Sequence, residues 1–356
     1  MNTTTVKAPA RVCLFGDHQD YLGLPVIACA IDRYITFKAT ANNSTFLNFN
    51  FIDLGKKRSI DLNEDLTLFE PQDYIKSGLK VLASKGVQLK AGYDIEISGD
   101  IPINAGLSSS SAFVVGWLTL VLKLTENLDR FSSAEIGHMA YMAEVEEHGQ
   151  AGGRMDQYTS AIGGTIYINT SKDMSYESLE DLVETLIIAS SGVPKTTLEG
   201  LRSLNEKAHE AIAQVKKDHP EFNIHDDHSP AGFIDSVQDD LKDVFAAALN
   251  NLQTTRLAHY SFQAGRARAL GPIMAEHHKI LKENLKITTP EIDALIDAAK
   301  QAGALGAKIV GSGGGGCIAC IPTEDNKEEL IAALQQAGAV EVFEARVSKG
   351  AKDLAL

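Results

Sequence analysis

Residues 104–112, Asn-Ala-Gly-Leu-Ser-Ser-Ser-Ser-Ala, lead from a glycine- and serine-rich loop straight into an apolar segment. No other stretch constrains the fold as much. Ile101-Pro102 ends the strand pattern before it, since proline has no N–H to give a ladder. Phe113, Val114, Trp117, Leu118, Val121 and Leu124 then recur at helical spacing. A short loop opening into a helix exposes unpaired N–H groups at the positive end of the helix dipole, which makes a seat for phosphate. The hydroxyls of Ser108, Ser109, Ser110 and Ser111 add hydrogen bonds or a metal ligand. The lysine of G-x-x-x-x-G-K-[ST] is missing, so this is not a Walker loop. A capped helix start would read the same way, and the loop alone assigns no function.

At 356 residues the chain is too long for one small core and predicts two domains, 1–185 and 186–356. A formal charge of −14 argues against nucleic acid or an anionic membrane as a partner. Cys317-Ile-Ala-Cys320 has C-x-x-C spacing but lies inside an apolar run, where buried strand thiols are expected rather than redox chemistry. The first residues hold no apolar signal core, and the longest apolar stretch, Ala112–Leu124, is too short to span a bilayer. A cytoplasmic protein is expected.

The first third reads as strands: Arg11–Phe15, Val26–Ile31, Tyr34–Ala39, Thr45–Ile52 and Tyr93–Ser98, with a helix over Asp73–Ser84. Phe131–Gly149 reads as one helix, with a capping box between Ser132 and Glu135 and a glycine stop. Thr289-Pro290 opens another helix. His219–His228 holds three histidines in no common register and reads as a solvated loop. Lys308–Val310, Gly311–Gly316 and Cys317–Ile321 read as strand, glycine loop, strand.

Two further segments carry polar side chains suited to chemistry. After the strand that starts at Arg11, Asp17, His18 and Asp20 crowd one turn, and paired carboxylates suit a polyhydroxyl ligand. The segment Glu144–Asp156 holds Gly149, Gly152 and Gly153, and its turn would bring Asp156 back toward the helix. Helical phase does not choose between the acids there: Glu147 falls nearer the centre of the apolar stripe than Glu144.

In order, these segments resemble the GHMP kinase superfamily over nearly the whole chain. Arg11-Val-Cys-Leu-Phe-Gly-Asp-His-Gln-Asp-Tyr-Leu-Gly23 is similar to the galactokinase signature R-V-N-L-I-G-E-H-T-D-Y-N-G. Gly106-Leu-Ser-Ser-Ser-Ser-Ala112 resembles the family phosphate loop, and Lys308–Cys317 its third motif. Met155-Asp156-Gln157, with Glu144 twelve residues before Asp156, matches galactokinases, as do Leu270–Leu281 and Thr289–Ile296. Asp17 stands where galactokinases carry glutamate, Gln19 and Leu22 replace Thr and Asn, and Leu24–Asp32 is nearer to mevalonate kinases.

The resemblance implies an α/β, two-domain (α+β) GHMP kinase fold with the active site in the cleft between domains. It implies ATP and Mg²⁺, a small-molecule sugar as acceptor, and phosphorylation of the anomeric hydroxyl of galactose or a related sugar. Mevalonate or a uronic acid is the alternative acceptor, and a non-catalytic sugar sensor the alternative class. By position, Asp156 orients and deprotonates the acceptor hydroxyl, with Arg11 beside it. Asp17, His18, Asp20 and Gly153 hold the sugar. Asn104, Gly106, Leu107, Ser108–Ser111, Gly313 and Gly314 hold ATP, while Ser110 and Glu144 hold Mg²⁺.

Overall fold

The computed structural model describes residues 3–103, 105–195 and 198–355. Seven strands build the first sheet: β1 (Thr3–Phe15), β2 (Val26–Ala41), β3 (Phe46–Phe51), β4 (Lys56–Asp61), β5 (Tyr93–Gly99), β6 (Thr165–Asn169) and β7 (Ser175–Leu179). Their order is β4-β3-β5-β2-β6-β7, with β1 along the other edge of β2. Only β3 and β5 run parallel. The second sheet is antiparallel, in the order β11-β8-β10-β9, from β8 (Thr185–Ser190), β9 (Gly306–Ile309), β10 (Cys317–Ile321) and β11 (Glu341–Arg346).

Against the first sheet lie α2 (Ser109–Leu124) and α4 (Met155–Ile162), and α1 (Tyr74–Ser84) and α3 (Ser133–Tyr141) pack on these helices. The second half adds α5 (Leu198–Asp218), α6 (Lys242–Gln263), α7 (Ala267–Glu283), α8 (Pro290–Gln301) and α9 (Lys327–Gln336). The last helix, α10 (Ala351–Ala355), returns to pack on β1 and α2, so the chain's end belongs in space with its beginning.

Helix α2 is apolar nearly all round because it is buried nearly all round. Trp117 is fully buried, donates Nε1–H to Ile75 O at 3.1 Å and meets Phe49 edge-on. Burying such a ring contributes about 2–3 kcal/mol. Gly116 has no Cβ to strike Phe37, so the helix lies close on β2 and its N-terminus is held at a fixed place.

Two sequence expectations need correction. Val26–Ile31 and Tyr34–Ala39 are one strand, β2, running through Asp32-Arg33. That pair looks like a turn, yet Asp32 accepts from Arg346 N at 2.8 Å and Arg33 lies over the Phe343 ring. The second sheet satisfies both charges. Nor is 131–149 one α-helix: α3 ends at Tyr141 and a π-helical turn spans Met142–Glu146. The capping box at Ser132 and Glu135 and the Thr289 cap with Pro290 next to it are both present. Cys317 and Cys320 are buried and free. Three residues apart on β10, they face opposite sides of the sheet and enter different cores, so neither can reach the other. Among the described residues, no helix is long and apolar enough to cross a membrane.

Candidate active site

A cleft of about 540 Å³ opens where α2, α4 and the turn after β1 converge with the loops after β8 and β9. Its size suits a small-molecule site. Asp156 stands in its wall, in the first turn of α4. Arg11, on β1, grips both carboxylate oxygens: Nε donates to Oδ1 at 2.7 Å and Nη2 to Oδ2 at 2.9 Å. Its third arm, Nη1, donates to Gly106 O at 2.5 Å, tying the phosphate loop to the same guanidinium. Ser108 Oγ also donates to Asp156 Oδ2. Burial pushes the Asp156 carboxyl up, but the charge and hydrogen bonds of Arg11 and the Ser108 hydroxyl outweigh it and hold it below the ordinary value. The group is ionised and aimed.

Ser108 caps α2 in the left-handed region, φ 61°, and makes no side-chain cap bond. The helix's first N–H groups therefore receive no hydroxyl from their own cap and face the cleft side of the loop. Ser110 is exposed there, while Ser111 is buried. Leu107 places its side chain in the core and contributes only backbone. Asn104 lies outside the described residues.

Glu144 is buried at the cleft and accepts from Gln157 Nε2 at 2.7 Å, with Ser110 and Ser111 also bonded to it. Burial raises its pKa above the ordinary value. Glu147, nearer the apolar stripe by helical phase, instead pairs with Lys80 at 2.5 Å on the outer face. The π-turn explains the reversal. A wider turn between Met142 and Glu146 resets the phase by one residue and swings Glu144 inward. Gln157 Oε1 is buried without a protein partner beside Glu144. A carboxylate, a serine hydroxyl and an unsatisfied amide oxygen form a hard-oxygen set that fits Mg²⁺ shared with phosphate.

At the turn after β1, Asp20 points into the cleft and accepts from the backbone N–H of Tyr21 at 3.0 Å. Burial, then the nearby Asp156 charge, lifts its pKa to about 6. Gly153 lies against it so closely that any Cβ would overlap the carboxylate. His18, at φ 62°, sets Nε2 3.2 Å from Ser312 O, and burial lowers its pKa against the pull of Asp17. Asp17 lines the same cleft with its carboxylate already partnered by the protein. Its Oδ1 accepts from Gly311 N at 2.9 Å and its Oδ2 from Lys308 Nζ at 2.7 Å, so both oxygens are engaged by the protein.

The glycine loop is not a free turn. Gly311 packs on Gly106, Gly316 on the Ala105 carbonyl, and Gly315 on the Val193 and Pro194 carbonyls, each too close for a side chain. Gly314 N donates to Ile287 O at 2.6 Å and Gly313 abuts the Ile287 side chain, so these two turn away from the cleft that Gly311 and Ser312 line. The Gly314 N–H expected at the nucleotide is already taken.

Lys195 has no counterpart in the sequence reading. It follows β8 through Ser191-Gly192-Val193-Pro194 and lines the cleft. Burial depresses its pKa, opposed first by the attraction of Asp156. Nothing local marks it; the loop contact between Gly315 and Pro194 brings it in.

Three family descriptions match the chain: a galactokinase galactose-binding signature over residues 2–40, the GHMP kinases N terminal domain over 73–164, and GHMP kinases C terminal over 258–340. A mevalonate kinase of Thermococcus sibiricus is 27% identical over 345 residues, covering 94% of each chain. A galactokinase of Actinobacillus pleuropneumoniae is 28% identical over 347 residues, covering 92% of this chain and 87% of its own. The solved galactokinase of Lactococcus lactis, complexed with galactose, superposes with a TM-score of 0.88 at 23% identity, over 98% of this chain and 94% of that one. Methanococcus jannaschii mevalonate kinase gives 0.75 at 22% identity, over 98% and 99%.

Proposed function

The chain belongs to the GHMP kinase superfamily, and from that premise we propose that it transfers the γ-phosphoryl group of ATP to a hydroxyl of galactose or a related sugar. One observation carries the reading: an ionised Asp156, clamped by Arg11 and Ser108, shares one cleft with the uncapped N-terminus of α2 and with Asp20. Matching of the galactose-binding signature over the turn that holds Asp20 supports a sugar over mevalonate.

In this mechanism the acceptor oxygen attacks the γ-phosphorus as the bond to the β–γ bridging oxygen breaks and ADP leaves. Asp156 accepts the hydroxyl proton or holds it in line; in a loose transition state the positioning counts for most of the effect. Arg11 keeps Asp156 ionised and fixes its plane. The α2 N–H groups and the Lys195 ammonium meet the phosphate charge, and charge stabilisation prearranged in a dry site is worth several kcal/mol. Ser110 and Glu144 would hold Mg²⁺, which neutralises phosphate oxygens when bound. Asp20, set by Gly153, and His18 hold the sugar hydroxyls, with Asp17, whose oxygens already accept from Lys308 and Gly311, in the cleft wall beside them. ATP as donor points to the cytoplasm. ADP release in a coupled assay, with galactose, galacturonate and mevalonate as acceptors, tests the reading. Mg²⁺- and acceptor-dependent turnover of a sugar is expected; turnover of mevalonate alone, or of nothing, overturns it.

A further inference from the structure

Behind the sugar turn the cleft has a second lobe of about 340 Å³ that no step above uses. Both lobes share Asp20, Tyr21, Gln150, Gly152 and Gly153 as wall, so a ligand gripped by Asp20 borders on each. Tyr21 and Tyr141 give the second lobe aromatic faces, and Asn205 of α5, donating to Ala151 O at 3.1 Å, holds its glycine-rich side. Its cations are Arg154 and Lys172. The Arg154 guanidinium lies 5.1 Å over the Tyr141 ring. Among the described residues neither cation is paired with a carboxylate. In a chain of net charge −14, two unpaired cations facing one polar cavity are a local reversal of sign.

We propose that the second lobe is an acceptor subsite for an anionic substituent, so that the preferred acceptor is a hexose bearing a carboxylate rather than a neutral hexose. This rests on the sugar-kinase reading. Asp20, shared by both lobes, binds ring hydroxyls, while Arg154 reads the planar carboxylate through its fork and Lys172 adds charge at the mouth. Asp20 is the one carboxylate among the residues that line this lobe, so Arg154 and Lys172 outnumber it there. A neutral sugar would leave two cations facing an unfilled lobe.

The test compares kcat/KM for galactose, galacturonate and mevalonate in wild type, Arg154→Gln, Lys172→Gln and the double variant. Lys172 is exposed, so its variant folds irrespective of Arg154. Galacturonate should exceed galactose by about tenfold in the wild type, and each substitution should cut that ratio through KM for galacturonate. Galactose preferred in the wild type, or a ratio indifferent to both substitutions, overturns the subsite and leaves the sugar-kinase reading standing. Turnover of mevalonate with neither sugar overturns both.

Discussion

Asp17 and Lys308 form an ion pair of 2.7 Å in which the lysine side chain is wholly buried and the aspartate nearly so. The lysine also donates to Cys13 O at 2.9 Å, and the aspartate's other oxygen receives Gly311 N. The pair thus fastens the turn after β1 to the strand and loop that close the far side of the cleft. Lys308→Met should cost about 3–5 kcal/mol in urea unfolding, because it strands a buried carboxylate, while the double variant Asp17→Asn/Lys308→Met should recover part of that loss. Asp17→Glu should destabilise by about 1–3 kcal/mol through overpacking and leave acceptor preference alone. A double variant no more stable than Lys308→Met would show that the pair is not the source of the loss.

The same pair predicts an acid-sensitive stability. Burial would raise the Asp17 pKa, but the Lys308 charge, then His277, brings it down to about 2 from an ordinary 3.8. A folded pKa below the unfolded one gives stability that is present above about pH 4 and is lost as pH falls toward 2. Urea midpoints between pH 5 and pH 2 should fall more steeply for wild type than for the double variant. Parallel slopes would remove Asp17 from the acid transition.

For the chemistry, Asp156→Asn should lower kcat by at least ~10²-fold while ATP binding, followed by fluorescent-nucleotide titration, stays within a few-fold. Arg11 would then donate to an amide that cannot match its fork at both positions. Lys195→Met should also lower kcat, by about 10²-fold if its charge meets the transferring phosphoryl group, with a smaller change in KM for the sugar. A Lys195→Met enzyme with full kcat would make that lysine a bystander.

Much of this architecture could be read in the chain. The helix start after the serine-rich loop, the capping box at Ser132 and the Thr289-Pro290 start are local signals, and α2, α3 and α8 begin where they place them. What escaped depends on distant partners. Asp17 meets Lys308 only after 291 residues, and Asp32-Arg33 reads as a turn until Arg346 and Phe343 arrive to satisfy it. Helical phase could not separate Glu144 from Glu147 for another reason: periodicity assumes 3.6 residues per turn, and the π-turn breaks that assumption at Glu144.

That turn supplies its own control. Glu144→Gln should raise the Mg²⁺ concentration for half-maximal rate, as should Ser110→Ala more weakly, since each removes a hard oxygen donor or its charge. Glu147→Gln should leave the metal dependence as it is and loosen only the surface pair with Lys80, worth about 0–1 kcal/mol. A metal defect in Glu147→Gln without one in Glu144→Gln would reverse the assignment.

Asp20 and Gly153 make the proposed sugar site both tight and titratable. Because the Asp20 pKa is raised to about 6, its carboxylate is ionised at neutral pH and gains a proton as the pH drops through 6. A carboxylate accepts from two hydroxyls; the protonated acid loses part of that capacity. KM for the sugar should therefore rise below pH 6, and Asp20→Asn, whose side chain does not titrate, should show a high KM without that inflection. Gly153→Ala forces a methyl group into the space of the Asp20 carboxylate, backed by the turn at Met155. Either the carboxylate swings out of the cleft or α4 shifts with Asp156 on it. The two cases separate in steady-state kinetics: the first raises KM for the sugar with kcat nearly kept, and the second lowers kcat as well. Asp20 is held by the backbone N–H groups of Tyr21 and Met155, at 3.0 and 3.5 Å, whereas Asp156 is clamped by the Arg11 fork and Ser108, so Asp20 should yield first and the KM effect should dominate. A Gly153→Ala enzyme with wild-type KM would show that this close approach does not set the position of Asp20.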